Sequence, residues 1–101
     1  MEKTKIKSTP SSGNVFEDLG FSKLEAANML MRADLMIELE QFIRKKNMSQ
    51  RQAAEFFGVH QPRINDLMNN RIEKFSIDIL LNMLQLAGKR VRIQIEPIET
   101  K

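Results

Sequence analysis

The chain has 101 residues, of which 42% are hydrophobic, and this size and composition fit one small domain with a single core. It contains no cysteine, which excludes disulfides and thiolate metal sites and suits a reducing cytoplasm. No apolar run approaches the length of a membrane span, and no apolar stretch follows the basic start as it would in a secretory signal. We therefore expect a cytoplasmic protein with no membrane partner.

The net charge of +3 is distributed unevenly along the chain. Residues 1–14 carry +2, residues 15–43 carry −4, residues 44–74 carry +4 and residues 75–101 carry +1. A locally basic segment is typical of a protein that binds a phosphate backbone, although it also fits a solvated helix face.

The first half of the chain predicts a disordered tail and one long helix. Pro, Ser and Gly at positions 10–13 indicate that residues 1–14 are disordered. Ser22 and Glu25 have the spacing of a capping box, and neither Gly nor Pro interrupts the helical pattern that runs to about Lys46. One predicted buried face of this helix comprises Met31, Leu35, Leu39 and Phe42. A second stripe fits either a partner surface or internal packing, and it comprises Met29, Met36 and Ile43.

Three shorter helices are expected after Asn47. Ser49 and Gln52 form a second capping box for a helix over residues 50–57, and Gly58 ends it. A third helix covers residues 61–68, with Pro62 in its first turn. A fourth helix begins after Ser76 and ends before Gly88.

Residues 91–96 alternate apolar and polar side chains, which predicts a single C-terminal strand. A lone strand cannot satisfy its backbone groups, so it needs a partner. We expect the same strand of a second copy, paired antiparallel across a homodimer through Val91, Ile93 and Ile95; residues 3–7 of the same chain, or a frayed end, are the alternatives. The predicted fold is all-α: a four-helix helix-turn-helix domain (residues 15–90) with a long first helix, between the tail (1–14) and a dimerisation strand with its tail (91–101).

Residues 50–67 meet the packing demands of two helices that cross over a tight turn. Ala54 is small where the second helix crosses the first, and Gly58 tolerates the positive φ of the turn. The inner faces are apolar at consistent spacing and comprise Ala53, Phe57, Val59, Ile64 and Leu67. The outward residues of the second helix are polar and comprise Gln61, Arg63, Asn65, Asp66 and Asn69. In a major groove, Gln and Asn can pair with adenine and Arg with guanine, while Gln50 and Arg51 would lie against a phosphate.

Residues 58–64, with the sequence GVHQPRI, resemble the turn and recognition-helix start of the Xre and lambda-repressor-like helix-turn-helix family. The wider order is similar to the HigA-type antitoxins of toxin-antitoxin modules. It comprises LGFS at 19–22, a long helix, the helix-turn-helix, FSID at 75–78, LL at 80–81, and AG at 87–88 before the alternating strand. The resemblance covers about residues 14–97.

This resemblance implies a dimeric repressor that binds its own operator as double-stranded DNA and also binds a cognate toxin, usually an mRNA-cutting enzyme. The groove-facing positions would be Gln61, Pro62, Arg63 and Asp66. The backbone-contacting positions would be Gln50, Arg51 and Asn69, and we add His60, Asn70 and Arg71 to the expected phosphate contacts. Three positions depart from the family's pattern. His60 replaces the usual Ser or Thr cap, Pro62 can offer a base only apolar contact, and Asp66 would need a cytosine amino group or a water.

Other classes of function have less support in the sequence. A small nuclease would need a catalytic constellation, but the chain has one His, no Cys and no Tyr, and its acids are scattered over helix faces. We predict no catalytic residue, cofactor, metal or small-molecule substrate. A helix-turn-helix regulator without a toxin, and a helical adaptor whose hairpin never meets DNA, are the alternatives.

Overall fold

The computed structural model describes Thr4–Lys5 and residues 15–98. In chain order the elements are β1 (Thr4–Lys5), α1 (Val15–Asp18), α2 (Lys23–Lys45), α3 (Gln50–Phe57), α4 (Gln61–Met68), a 3₁₀ turn (Ile72–Lys74), α5 (Ile77–Leu86) and β2 (Val91–Arg92). The division of the chain into a tail (1–14), a domain (15–90) and a strand with its tail (91–101) stays a prediction. Apart from Thr4–Lys5, the predicted N-terminal tail lies outside the described residues.

The long helix α2 begins and ends where its sequence signals predict. The Oγ of Ser22 accepts a hydrogen bond from the Glu25 backbone N–H at 3.1 Å, and the Glu25 Oε1 accepts one from the Ser22 N–H at 3.2 Å. Asn47 follows the helix with a φ of 56°, a left-handed conformation that Asn tolerates. The long helix is nevertheless the second helix and not the first, because the four-residue α1 precedes it.

The core lies where α2, the α3–α4 pair and α5 meet. Its largest fully buried side chains are Met36, Leu39, Ile64, Leu67, Phe75, Leu80 and Leu84. Burial of Met36 and Ile43 shows that most of the second stripe of α2 packs internally. Met31, an expected core residue, is instead partly exposed, at 44% of its surface, and Phe56 is exposed to a similar extent, at 43%. Both lie at the rim of the packing, Met31 in the N-terminal half of α2 and Phe56 on the outer side of α3.

The C-terminal strand finds its partner within the chain. Strand β2 pairs in parallel with β1, with Thr4 opposite Val91 and Lys5 opposite Arg92. The partner observed is therefore the alternative, the stretch of residues 3–7 of the same chain, and not the strand of a second copy that was expected. The ladder is also shorter than the alternating pattern, since Ile93 and Ile95 follow it with 76% and 90% of their surfaces exposed.

Candidate nucleic-acid interface

Helices α3 and α4 form a hairpin around Gly58, whose φ of 68° places it in the left-handed region. The Ser49–Gln52 capping box fixes the start of α3, with hydrogen bonds of 3.1 and 2.9 Å. Ala53, Ala54 and Phe57 of α3 are buried. The burial of Ala54 and the left-handed Gly58 agree with the two helices crossing over a tight turn that the sequence predicted.

One face of α4 is buried and the opposite face is open. Ile64 and Leu67 have no exposed surface, whereas Gln61, Pro62 and Asn65 are exposed. A helix with this division can pack on its own domain and present side chains to a groove of about its own width. These three predicted base-contacting residues therefore stand on the accessible face.

Three side-chain amides connect the two helices of the hairpin. The Nδ2 of Asn65 lies 3.5 Å from the Oε1 of Gln50, a weak hydrogen bond between α4 and the first residue of α3. Asn69 donates from its Nδ2 to the Asn65 carbonyl at 3.0 Å and to the Asn65 Oδ1 at 3.1 Å. Asn65, a predicted base contact, therefore lies between Gln50 and Asn69, which are both predicted phosphate contacts.

Arg63 differs from the expectation that its side chain points freely outward. It is half-buried, its Nη1 donates to the Lys74 carbonyl at 3.0 Å, and its guanidinium carbon lies 5.5 Å from the centre of the Phe75 ring. Both contacts belong to the segment that follows α4. A guanine contact by Arg63 would require the guanidinium to leave this position.

Asp66 is also engaged by a neighbouring charge. Its Oδ1 lies 3.8 Å from the Nε of Arg71, and its side chain is only 28% exposed. The Arg71 backbone N–H donates to the Asp66 carbonyl at 3.0 Å. The Arg71 cation therefore offsets part of the negative charge that Asp66 would bring near a phosphate.

The other predicted phosphate contacts lie on the surface. Arg51 is 81% exposed along its side chain and faces Glu55 at 3.9 Å, a separation at which a surface pair adds little stability. His60 and Asn70 are exposed, and Asn70 ends α4 with a φ of 58°. His60 is the N-cap of α4 but makes no side-chain cap hydrogen bond within the described residues, which agrees with the weaker cap expected there.

No pattern in the sequence indicated the part played by Arg32, Lys74 and Phe75. Arg32 of α2 donates to the carbonyls of Ile72 and Phe75, so it anchors the same segment that Arg63 contacts. Each of these partners is a backbone carbonyl more than ten residues away, and such a contact leaves no local spacing pattern. Phe75 itself packs inward, with 1% of its surface exposed.

Among the described residues, no group of three or more His, Cys, Asp or Glu side chains could hold a metal ion. No helix within the same residues is long and apolar enough to cross a bilayer.

The α3–α4 hairpin, with an exposed polar face on its second helix, defines a helix-turn-helix DNA-binding protein. A family model described as a helix-turn-helix domain matches residues 15–96, and the chain belongs to that family. The match spans the structure from α1 to just beyond β2, so the flanking helices are part of the family's domain as well as the hairpin. No curated protein matches the sequence.

Proposed function

We propose that this protein is a sequence-specific transcriptional repressor that acts as a homodimer in the cytoplasm and is the antitoxin of a type II toxin-antitoxin module. The main support for sequence-specific DNA binding is that Gln61 and Asn65 are exposed on α4, while Ile64 of the same helix is fully buried. Amide side chains on the open face of such a helix can pair with adenine in the major groove. The Xre and HigA-type resemblance supplies the repressor and antitoxin roles.

The proposed contacts divide into base and phosphate contacts. Base contacts are assigned to Gln61, Pro62 and Asn65, which are exposed on α4. Arg63 and Asp66, also expected there from the sequence, already contact other residues of the protein. Phosphate contacts are assigned to the surrounding surface and comprise Gln50, Arg51, His60, Asn69, Asn70 and Arg71. The backbone N–H groups at the start of α3 favour an anion there.

A homodimer remains compatible with the pairing of β2 to β1. A strand has two edges, and β1 occupies one edge of β2. The second edge can pair antiparallel with β2 of another copy, and continuation of this pairing through residues 93–95 would bring the exposed Ile93 and Ile95 into the dimer interface. Such a dimer would place two copies of α4 about one turn of DNA apart on a pseudo-palindrome.

The toxin is proposed to bind at α1 and the N-terminal half of α2. This end carries a net charge of −2, half of the −4 of residues 15–43, and a negative surface suits a basic nuclease. It also exposes large apolar side chains, among them Leu24 at 81% of its surface and Leu19 at 68%. Grouped apolar residues with an acidic surround are typical of a partner surface.

Binding to the DNA upstream of its own gene tests the repressor proposal. We expect the protein to protect a pseudo-palindrome in this upstream DNA from nuclease digestion, with the salt concentration held constant because DNA affinity depends on it. Gln61→Ala should weaken binding to that site by about 1–3 kcal/mol, because it removes a bidentate base contact. The matched control Gln85→Ala changes an exposed glutamine of α5 and should have no effect. Absence of protection, with no retardation of the upstream fragment, would contradict the proposal and favour the adaptor.

Co-expression with the product of the neighbouring gene tests the antitoxin role. A stable complex that rescues growth from the toxin is expected, and Leu24→Glu should weaken it. Leu86→Glu, which changes an exposed leucine of α5, is the matched control. DNA binding without any complex would leave a helix-turn-helix regulator that has no toxin.

A further inference from the structure

The segment of residues 71–76, called here the α4–α5 loop, is anchored to α2 by one arginine. The Nη1 of Arg32 donates to the carbonyls of Ile72 and Phe75 at 3.1 and 3.0 Å. Its Nε donates to the Oδ1 of Asn28 at 2.8 Å, so the guanidinium is itself held in position. Hydrogen bonds from a charged donor are stronger than neutral ones.

A second arginine anchors the same loop to α4. Arg63 donates to the Lys74 carbonyl at 3.0 Å and lies over the Phe75 ring at 5.5 Å. The ring is fully buried, so the contact joins the loop both to the recognition helix and to the core. A planar guanidinium suits this double task, since it stacks on an aromatic face while its N–H groups donate in its plane.

The loop carries cations at the end of the recognition helix. It begins three residues after α4 ends at Met68, and the side chains of Arg71 and Lys74 are exposed. When α4 enters a major groove, the segment at its C-terminal end lies beside a phosphate backbone. The placement of these cations therefore depends on the contacts that hold the loop.

We propose that Arg63 is a positioning residue, which fixes the α4–α5 loop so that Lys74 and Arg71 contact phosphates, and does not itself read a base. This inference rests on the proposed DNA binding. The geometry favours it because reading guanine would cost Arg63 both its carbonyl acceptor and its aromatic contact. Arg32 anchors the same loop from α2. It does not belong to α4, the helix proposed to contact the bases.

The comparison of Arg63→Ala with Arg32→Ala tests this inference. Affinities for the upstream duplex and for a random duplex are measured over a series of salt concentrations, with each variant checked as folded by circular dichroism. Both variants should weaken both duplexes by the same factor, which leaves the specificity ratio unchanged. Lys74→Ala should reduce the salt slope by about one, the loss of one phosphate contact. Adding Arg63→Ala to it should then have less effect than in the wild-type background.

Two further measurements separate positioning from charge and from folding. Arg63→Lys keeps the charge but loses the planar stacking, so it should behave like Arg63→Ala and not restore affinity. Amide hydrogen exchange of residues 72–75 should become faster in the Arg63 and Arg32 variants, because both anchor this loop.

Several outcomes would overturn the inference. If Arg63→Ala weakened only the upstream duplex and Arg32→Ala did not, Arg63 would read a base, while the proposed repressor function would stand. Unchanged exchange in the loop, full rescue by Arg63→Lys, or additive effects of Arg63→Ala and Lys74→Ala would also reject it. If the upstream duplex bound no better than the random one, the repressor function would fail, but an equal loss by both arginine variants on random DNA would still support the positioning role.

Discussion

Asn65 of α4 and Gln50 of α3 face each other with 3.5 Å between the Asn65 Nδ2 and the Gln50 Oε1. The Asn65 Oδ1 in turn accepts from the Nδ2 of Asn69 at 3.1 Å. A carboxamide has two N–H groups and two oxygen lone pairs, so one of each is not used by these two bonds. Asn65 is exposed on α4 and keeps one donor and one acceptor that these two bonds do not use, and adenine recognition requires a donor and an acceptor of this kind.

Asn65→Ala should therefore reduce specific binding more than non-specific binding. The expected loss is about 1–3 kcal/mol on the operator, concentrated at one A·T pair. The check is a set of upstream duplexes in which each base pair of the protected site is replaced in turn. Asn82→Ala, an exposed asparagine of α5, is the matched control. An equal loss on every duplex would show that Asn65 contacts only the backbone.

Local signals were sufficient to predict the hairpin from the sequence. The capping boxes at Ser22 and Ser49 join residues three apart, so their spacing is visible in the chain itself. The periodicity that buries Ile64 and Leu67 and exposes Gln61 is equally local.

Long-range partners set the remaining features, and these could not be predicted. Arg63 was expected to face the groove because its helical position is outward, but its acceptor is a carbonyl that only the folded loop brings near. The strand β2 needed a partner, and its own pattern could not choose between β1 and another copy. Helix α1 has four residues, which is too short to show a helical period.

Gly58→Ala should destabilise the protein through backbone strain alone. The φ of 68° is unfavourable for an L-residue with a Cβ, yet an added Cβ would meet no heavy atom within 4 Å. We expect a loss of about 1–2 kcal/mol in the free energy of unfolding, measured by urea denaturation. Gly58→Asn should cost less, because Asn adopts the left-handed region more readily, as Asn47 and Asn70 do here.

The control Glu55→Ala and the comparison of the two Gly58 variants separate backbone strain from other causes of lost stability. Glu55→Ala removes an exposed side chain of the same helix and should change the free energy of unfolding by less than about 0.5 kcal/mol. Equal losses for Gly58→Ala and Gly58→Asn would contradict the strain explanation.

Ile93→Asp should convert the proposed dimer into a monomer. A carboxylate at this exposed position would have to be desolvated when the free edge of β2 pairs with a second copy. The molar mass in solution, measured by light scattering, should fall by half, and binding to a pseudo-palindrome should weaken. Ile98→Asp is the matched control, since Ile98 follows Pro97 and lies beyond the alternating pattern. A wild-type protein that is already monomeric would refute this mode of assembly.

Asp34 and Glu40, two carboxyl groups of α2, should make stability depend on pH. Burial raises the pKa of Asp34 above its ordinary 3.8, and the negative charge of Glu38 raises it further. Burial also raises the pKa of Glu40 above 4.5, and Arg44 offsets part of this effect. A carboxyl whose pKa is higher in the folded than in the unfolded state contributes stability that is complete below the unfolded pKa and is lost as the pH rises through the folded value.

Asp34→Asn should consequently raise the denaturation midpoint at pH 7, where the wild-type carboxylate is ionised and unfavourably desolvated. The gain should fade as the pH is lowered towards 3.8, because the wild-type group then becomes neutral as well. Glu73→Gln changes an exposed carboxyl of the α4–α5 loop and should leave the midpoint almost unchanged. A lower midpoint for Asp34→Asn at pH 7 would mean that the ionised carboxylate stabilises α2, contrary to the desolvation argument.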